Sequence, residues 1–155
     1  MVKKLTLPVL AVMLLAFHGR TLAAAALHNG AGLLLRPHWQ AAAGEGGFPA
    51  CGAGAAPAAG AWIERALRLN PQDERAWLLR GRAAWLAGRC DGALRDWERA
   101  LSLNPRDPAA WALYLAAGGN GLQPDPAIAE GMASYFLFLG DRSQKAEQWE
   151  DALQW

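Results

Sequence analysis

Residues 62–79 and 96–113 carry one pattern twice, with 11 of 18 aligned positions identical at an offset of 34 and no gap, where chance would give about one. Glu64-Arg65-Ala66-Leu67 recurs as Glu98-Arg99-Ala100-Leu101, and Leu69-Asn70-Pro71 as Leu103-Asn104-Pro105. Asp73, Ala76, Trp77 and Leu79 recur as Asp107, Ala110, Trp111 and Leu113. A fixed period of this length is the mark of stacked helical hairpins. Composition agrees. The chain has 34 Ala and 24 Leu, while Val, Ile and Thr together number seven, and only Ile63 and Ile128 lie beyond Thr21. A sheet would have almost no β-branched residues to build it, so all-β and α/β folds are excluded.

The residues inside one period account for its length. Asp73 is a good N-cap, and the helix it opens carries Trp77, Gly81, Ala84 and Trp85 at helical spacing. Gly88 ends that helix and Asp91 is expected to start the next, with Ala93, Trp97 and Ala100 on one face. Asn104-Pro105 then stops it, because proline disfavours helical geometry in the residue before it. Small Gly81 and Ala93 stand where two helices approach, and large Trp77 and Trp97 where the gap needs filling.

On these residues, 74–107 resemble a tetratricopeptide repeat, matched by Trp77, Gly81, Gly88, Ala93, Trp97, Ala100 and Pro105 in register. The departures are Arg80, where the family prefers Leu, and Ala84, where it prefers Tyr. Residues 61–73 resemble the second helix of a preceding repeat through Ile63, Ala66 and Pro71, and residues 108–117 the first helix of a following one through Trp111. The fold this implies is all-α, a short right-handed α-solenoid preceded by a hydrophobic N-terminal helix. Its repeat core is Trp77, Gly81, Ala93, Trp97, Ala100, Pro105 and Trp111. The resemblance also implies that the first helix faces a concave, partner-binding groove through Arg75, Leu78, Arg82 and Trp85. Arg and Trp are frequent binding hot spots. A carboxylate-clamp version of the family uses Lys and Asn at set groove positions. The Asn residues are missing here, so that clamp is only a loose analogy.

Charge divides the chain. All 14 acidic residues lie at Glu45 or later, while residues 1–44 carry Lys3, Lys4, Arg20 and Arg36. Lys3-Lys4, the uncharged run Leu5 to Phe17 and the small residues Ala23 to Ala26 read together as a secretory signal over residues 1–26. The alternative is an uncleaved membrane anchor through residues 5–17, although a spanning helix needs about 20 apolar residues. An ordinary buried helix is the weakest reading, since it leaves the missing acids unexplained. Either of the first two sends the remainder out of the cytoplasm, to a periplasmic, cell-surface or secreted location. Residues 27–60, with the Ala/Gly/Pro-rich stretch 41–60, read as a linker, or as a degenerate hairpin. Residues 61–155 form the repeat domain.

Beyond Ala117 the register is lost at Gly118-Gly119-Asn120-Gly121. Asp125-Pro126 restarts a helix, and residues 126–155 resemble a diverged repeat. The last helix presents Trp149, Leu153 and Trp155 as an open apolar face, expected to meet another protein or a further repeat of the same protein.

No constellation for chemistry is present. His18, His28 and His38 all precede the repeats, the serines have no recognisable triad, and two cysteines without nearby His do not make a zinc site. Enzymatic activity, cofactors and metals are therefore not expected. Net charge of +1 argues against a nucleic-acid partner. Cys51 and Cys90 could pair in an oxidising compartment and staple the Gly/Ala segment to the turn after the clear repeat's first helix. Two independent small residues are the alternative, and the one preferred here. The leading function is a non-catalytic extracytoplasmic scaffold for protein–protein interaction. The alternatives are an anchored structural subunit of a membrane complex, or a piece of a longer repeat protein of envelope or surface assembly.

Overall fold

The computed structural model describes residues 6–44, 48–128 and 132, with side chains from residue 18 onward. Among them there is no strand. Among the described residues five helices follow one another, α1 (Thr6–Ala43), α2 (Pro57–Leu69), α3 (Glu74–Leu86), α4 (Cys90–Leu103) and α5 (Pro108–Ala116), and residues 126–128 and 132 are helical as well. Neighbours pack in sequence, α1 on α2, α2 on α3, α3 on α4 and α4 on α5, and α1 also reaches α3. The result is an all-α stack of hairpins.

The two copies of the sequence pattern fold alike because they carry the same local instructions. Asp73 accepts from the Ala76 amide at 3.2 Å and Asp107 from the Ala109 amide at 2.9 Å, so each caps the helix that follows. Pro71 and Pro105 each present a carbonyl to an indole, Trp77 Nε1 at 2.9 Å and Trp111 Nε1 at 2.8 Å. Helix α3 stops where Gly88 turns to φ 78° and α5 where Gly118 turns to φ 85°. The second stop comes four residues earlier in the repeat register, which makes α5 about one turn shorter than α3. Tyr114 is then covered by the turn. It receives the Gly121 amide on its hydroxyl at 3.0 Å, and a Cβ on Gly119 would overlap its ring.

Trp97 fills the α3–α4 gap. It is fully buried, its Nε1 donates to the Leu78 carbonyl at 3.2 Å, and a Cβ on Gly81 would collide with its pyrrole edge. The expected pairing of small against large is therefore physical contact. Ala93, Ala100 and Trp111 are buried as expected, and Trp77 is half-buried. Pro105, expected in the core, is exposed. It acts through its backbone, ending α4 and offering its carbonyl to Trp111. Helix α4 begins at Cys90 rather than at a cap on Asp91, which lies in its first turn.

Residues 27–43, part of the segment read as a linker or a degenerate hairpin, lie in helix α1. Helix α1 runs unbroken across position 26, and Ala24, Ala31, Leu35 and Trp39 are buried on one side of it. It supplies the first half of a hairpin with α2, with Gly30 so close under Trp62 that a Cβ there would overlap the indole. The absence of the 34-residue register in this hairpin hides it in the sequence, since the connection from α1 to α2 takes residues 44–56 where α3 and α4 are joined by three. No helix among the described residues is long and apolar enough to cross a membrane.

Residues 48–56 form a strap on the end of α3. The amides of Gly52 and Gly54 donate to the carbonyls of Trp85 and Leu86 at 2.9 and 3.0 Å. Cys51 and Cys90 are joined by a disulfide, with Cα atoms 6.0 Å apart, which corrects the expectation of two independent cysteines. The cause is the approach of the strap to the α3–α4 turn, where Gly52 and Gly88, both at positive φ, stand face to face.

Candidate functional site

Helices α1 and α3 and the α4–α5 turn enclose a groove of about 470 Å³. His28, Asn29 and Gly32 come from α1, Glu74, Arg75, Leu78, Leu79 and Arg82 from α3, and Asn104 with Arg106 to Ala109 from the turn and the start of α5. Three of the four residues expected in the groove line it. Arg75 is exposed, Arg82 is half-buried with its guanidinium 5.3 Å from the Trp39 ring centroid, and Leu78 forms a buried apolar floor.

Trp85 does not. It is buried in a cluster with Phe48 and Trp97, ring centroids at 5.2 and 5.7 Å, and its Nε1 donates to the Pro49 carbonyl at 2.6 Å. The strap covers the surface that the repeat pattern alone would leave open, and this makes Trp85 part of the core. The open apolar face of Trp149, Leu153 and Trp155 lies outside the described residues.

Sequence reasoning missed His28. It is only 8% exposed, and its Nδ1 lies 2.6 Å from Asp73 Oδ2. Asp73 therefore does two things: Oδ1 caps α3 and Oδ2 ties α1 to that cap. An ionised carboxylate only accepts, so the proton in this bond is on Nδ1. The signal was faint because His28 sits 45 residues from its partner, in a segment read as a linker or a degenerate hairpin.

On the other side of α3, Arg80 shows why the repeat pattern departs there. Its Nε and Nη2 meet the two oxygens of Asp96 at 2.9 and 2.6 Å, with Glu64 at 3.8 Å, and its guanidinium lies 4.0 Å over Trp77. Burial works to lower the Arg80 pKa, but the hydrogen bond and charge of Asp96 and the charge of Glu64 outweigh it, so the guanidinium is held above its ordinary value. Tyr114, one period after Arg80, meets Glu98, one period after Glu64, at 3.4 Å. A smaller pocket of about 360 Å³ opens here beside Ala84, where the family prefers Tyr, among Arg80, Arg89, Arg95 and Asp96. No cluster of three or more His, Cys, Asp or Glu suited to a metal occurs among the described residues.

Comparison of the sequence with known families matches residues 74–117 to the tetratricopeptide repeat. Comparison with curated proteins and with solved structures gives no match. The matched segment contains α3, α4 and α5, the helices in which the Asp caps, the Trp–Pro bonds and the Gly81–Trp97 contact lie. Within the chain, residues 74–117 are therefore tetratricopeptide repeat structure.

Proposed function

We propose that this protein is a non-catalytic, extracytoplasmic scaffold that holds a protein partner in the groove between α1, α3 and the α4–α5 turn. Tetratricopeptide repeats suggest protein–protein interaction as the general role. The observation that carries the finer reading is the groove lining. An apolar floor at Leu78 and Leu79 is rimmed by Arg75, Arg106 and two asparagines, which is the mix of apolar anchor and oriented polar groups that binding clefts use. The location is supported by two things. The head of the chain is free of acids, and a disulfide joins Cys51 to Cys90, a bond that persists in oxidising compartments.

Charge reversal tests the groove. Arg75→Glu and Arg106→Glu, both at exposed residues, are expected to abolish recovery of the partner captured by the wild-type protein. Arg95→Glu, on the far pocket, is expected to leave recovery unchanged. Loss with Arg95→Glu and not with the groove variants contradicts the proposal.

A further inference from the structure

Helix α1 changes character along its length. Among the described side chains, Leu27 is the first to pack against the hydrophobic core, and Ala31, Leu35 and Trp39 follow it on the same side. His28, the next residue, ties the helix to Asp73 at 2.6 Å. No described apolar side chain before Leu27 belongs to that core or packs against it. His18, Gly19, Arg20, Leu22 and Ala23 are exposed, Leu22 by 70%. Ala24 is buried, but it lies outside the core cluster, and losing it removes a single methyl group.

The residue at which packing begins is also one the sequence marks. Lys3-Lys4, the apolar run from Leu5 to Phe17 and then Ala24-Ala25-Ala26 put small residues one and three places before Leu27, the pattern a signal peptidase reads. Other readings of the segment meet physical obstacles. Leu5 to Phe17 as a helix reaches about 20 Å, short of the roughly 30 Å hydrocarbon core that an anchor must span. A helix built for packing would bury Leu22. The Cys51–Cys90 disulfide adds an independent observation, because such a bond forms and persists in an oxidising compartment, which the chain must be targeted to reach.

We propose that a signal peptidase cuts this chain between Ala26 and Leu27, and that the mature fold starts at Leu27. Water adds across that peptide bond: the C–N bond breaks, Ala26 leaves as a carboxylate and Leu27 gains an amino group. In the folded chain the bond lies inside α1, where the backbone is paired within the helix, so the cut comes during export, before α1 closes. Cutting there keeps every residue of α1 that packs on the core, and it places the new amino terminus one residue from His28 of the groove wall. The proposal rests on the extracytoplasmic location inferred above and adds the bond that is cut and the residue that begins the mature protein.

The test expresses the full chain in a bacterial host with an intact secretion pathway and reads the intact mass and N-terminal sequence of the product. The expected product has lost residues 1–26, begins at Leu27 and carries the disulfide. It is expected to remain helical and to melt cooperatively without detergent, because the core is whole. Ala26→Trp, at an exposed position, puts a large residue where the peptidase needs a small one and is expected to give no chain beginning at Leu27. A product that starts elsewhere, or Ala26→Trp cut at Leu27 like the wild type, overturns the assignment of the bond. A cut product that is unfolded overturns the start of the fold at Leu27. Residues 1–26 retained on an exported, disulfide-bonded chain overturn the cut and leave the extracytoplasmic reading standing. Residues 1–26 retained on a cytoplasmic chain with reduced cysteines overturn both.

Discussion

The indole nitrogen of Trp111 donates to the carbonyl of Pro105 at 2.8 Å, and Trp77 repeats that bond with Pro71 one period earlier at 2.9 Å. In each case the proline that ends one helix is tied to the first turn of the next helix. The 34-residue period is thus a period of hydrogen bonds as well as of side-chain sizes. Trp111→Phe keeps most of the buried ring and leaves the carbonyl without this donor. A loss of about 1 kcal/mol in urea unfolding is expected, with a smaller loss for Trp77→Phe, whose ring is more exposed.

Trp97 is expected to be the residue the repeat tolerates losing least. Trp97→Ala leaves a cavity between α3 and α4 and should cost about 3–5 kcal/mol, enough to unfold a domain with so few hairpins. Gly81→Ala tests the same contact from the other side. Its added methyl meets the Trp97 ring, and overpacking of this kind costs about 1–3 kcal/mol. Thermal melts of both variants check the pair. A Gly81→Ala protein as stable as wild type would place the two helices farther apart than described here.

The strap supplies a third prediction. The disulfide closes a loop with a sequence separation of 39, and cross-links of that span stabilise by about 2–4 kcal/mol. Cys51→Ser with Cys90→Ser should lower the melting temperature and leave the helical circular dichroism signal at low temperature unchanged. Treatment with a dithiol reductant should give the same shift, and no further shift in the double variant.

Arg80 and Asp96 should behave as a pair. Asp96→Ala leaves a partly buried guanidinium without its main partner and should cost about 2 kcal/mol. Arg80→Leu with Asp96→Ala, which restores the residue the family prefers at position 80, should recover most of it. Arg80 is held above its ordinary pKa, so its contribution is complete below that value and is lost only as the pH rises past the raised one. Urea unfolding near neutral pH is the right comparison, because the guanidinium stays charged throughout.

The sequence made the α3–α4 hairpin and its two flanking helices legible because their instructions are local: an Asp cap, a Gly stop, a Pro stop and a Trp facing a Gly. Arg75, Leu78 and Arg82 could be placed on the groove by the same register. Trp85 could not, since what buries it is a strap 36 residues earlier in the chain, with a composition that gives no periodic signal. His28 and the α1–α2 hairpin were hidden for a related reason. An Ala- and Leu-rich helix reads equally well as a leader, an anchor or a packing element until the partner helix is known. The pairing of Cys51 with Cys90 depended on that same long-range approach.

Whether a partner sits in the groove between α1, α3 and the α4–α5 turn is measured directly by site-specific photo-crosslinking. A photo-reactive residue replacing Arg75 is expected to cross-link the partner in high yield, and one replacing Arg95 is expected to give none. Cross-linking from position 95 at the yield of position 75, or from 95 alone, would contradict the account.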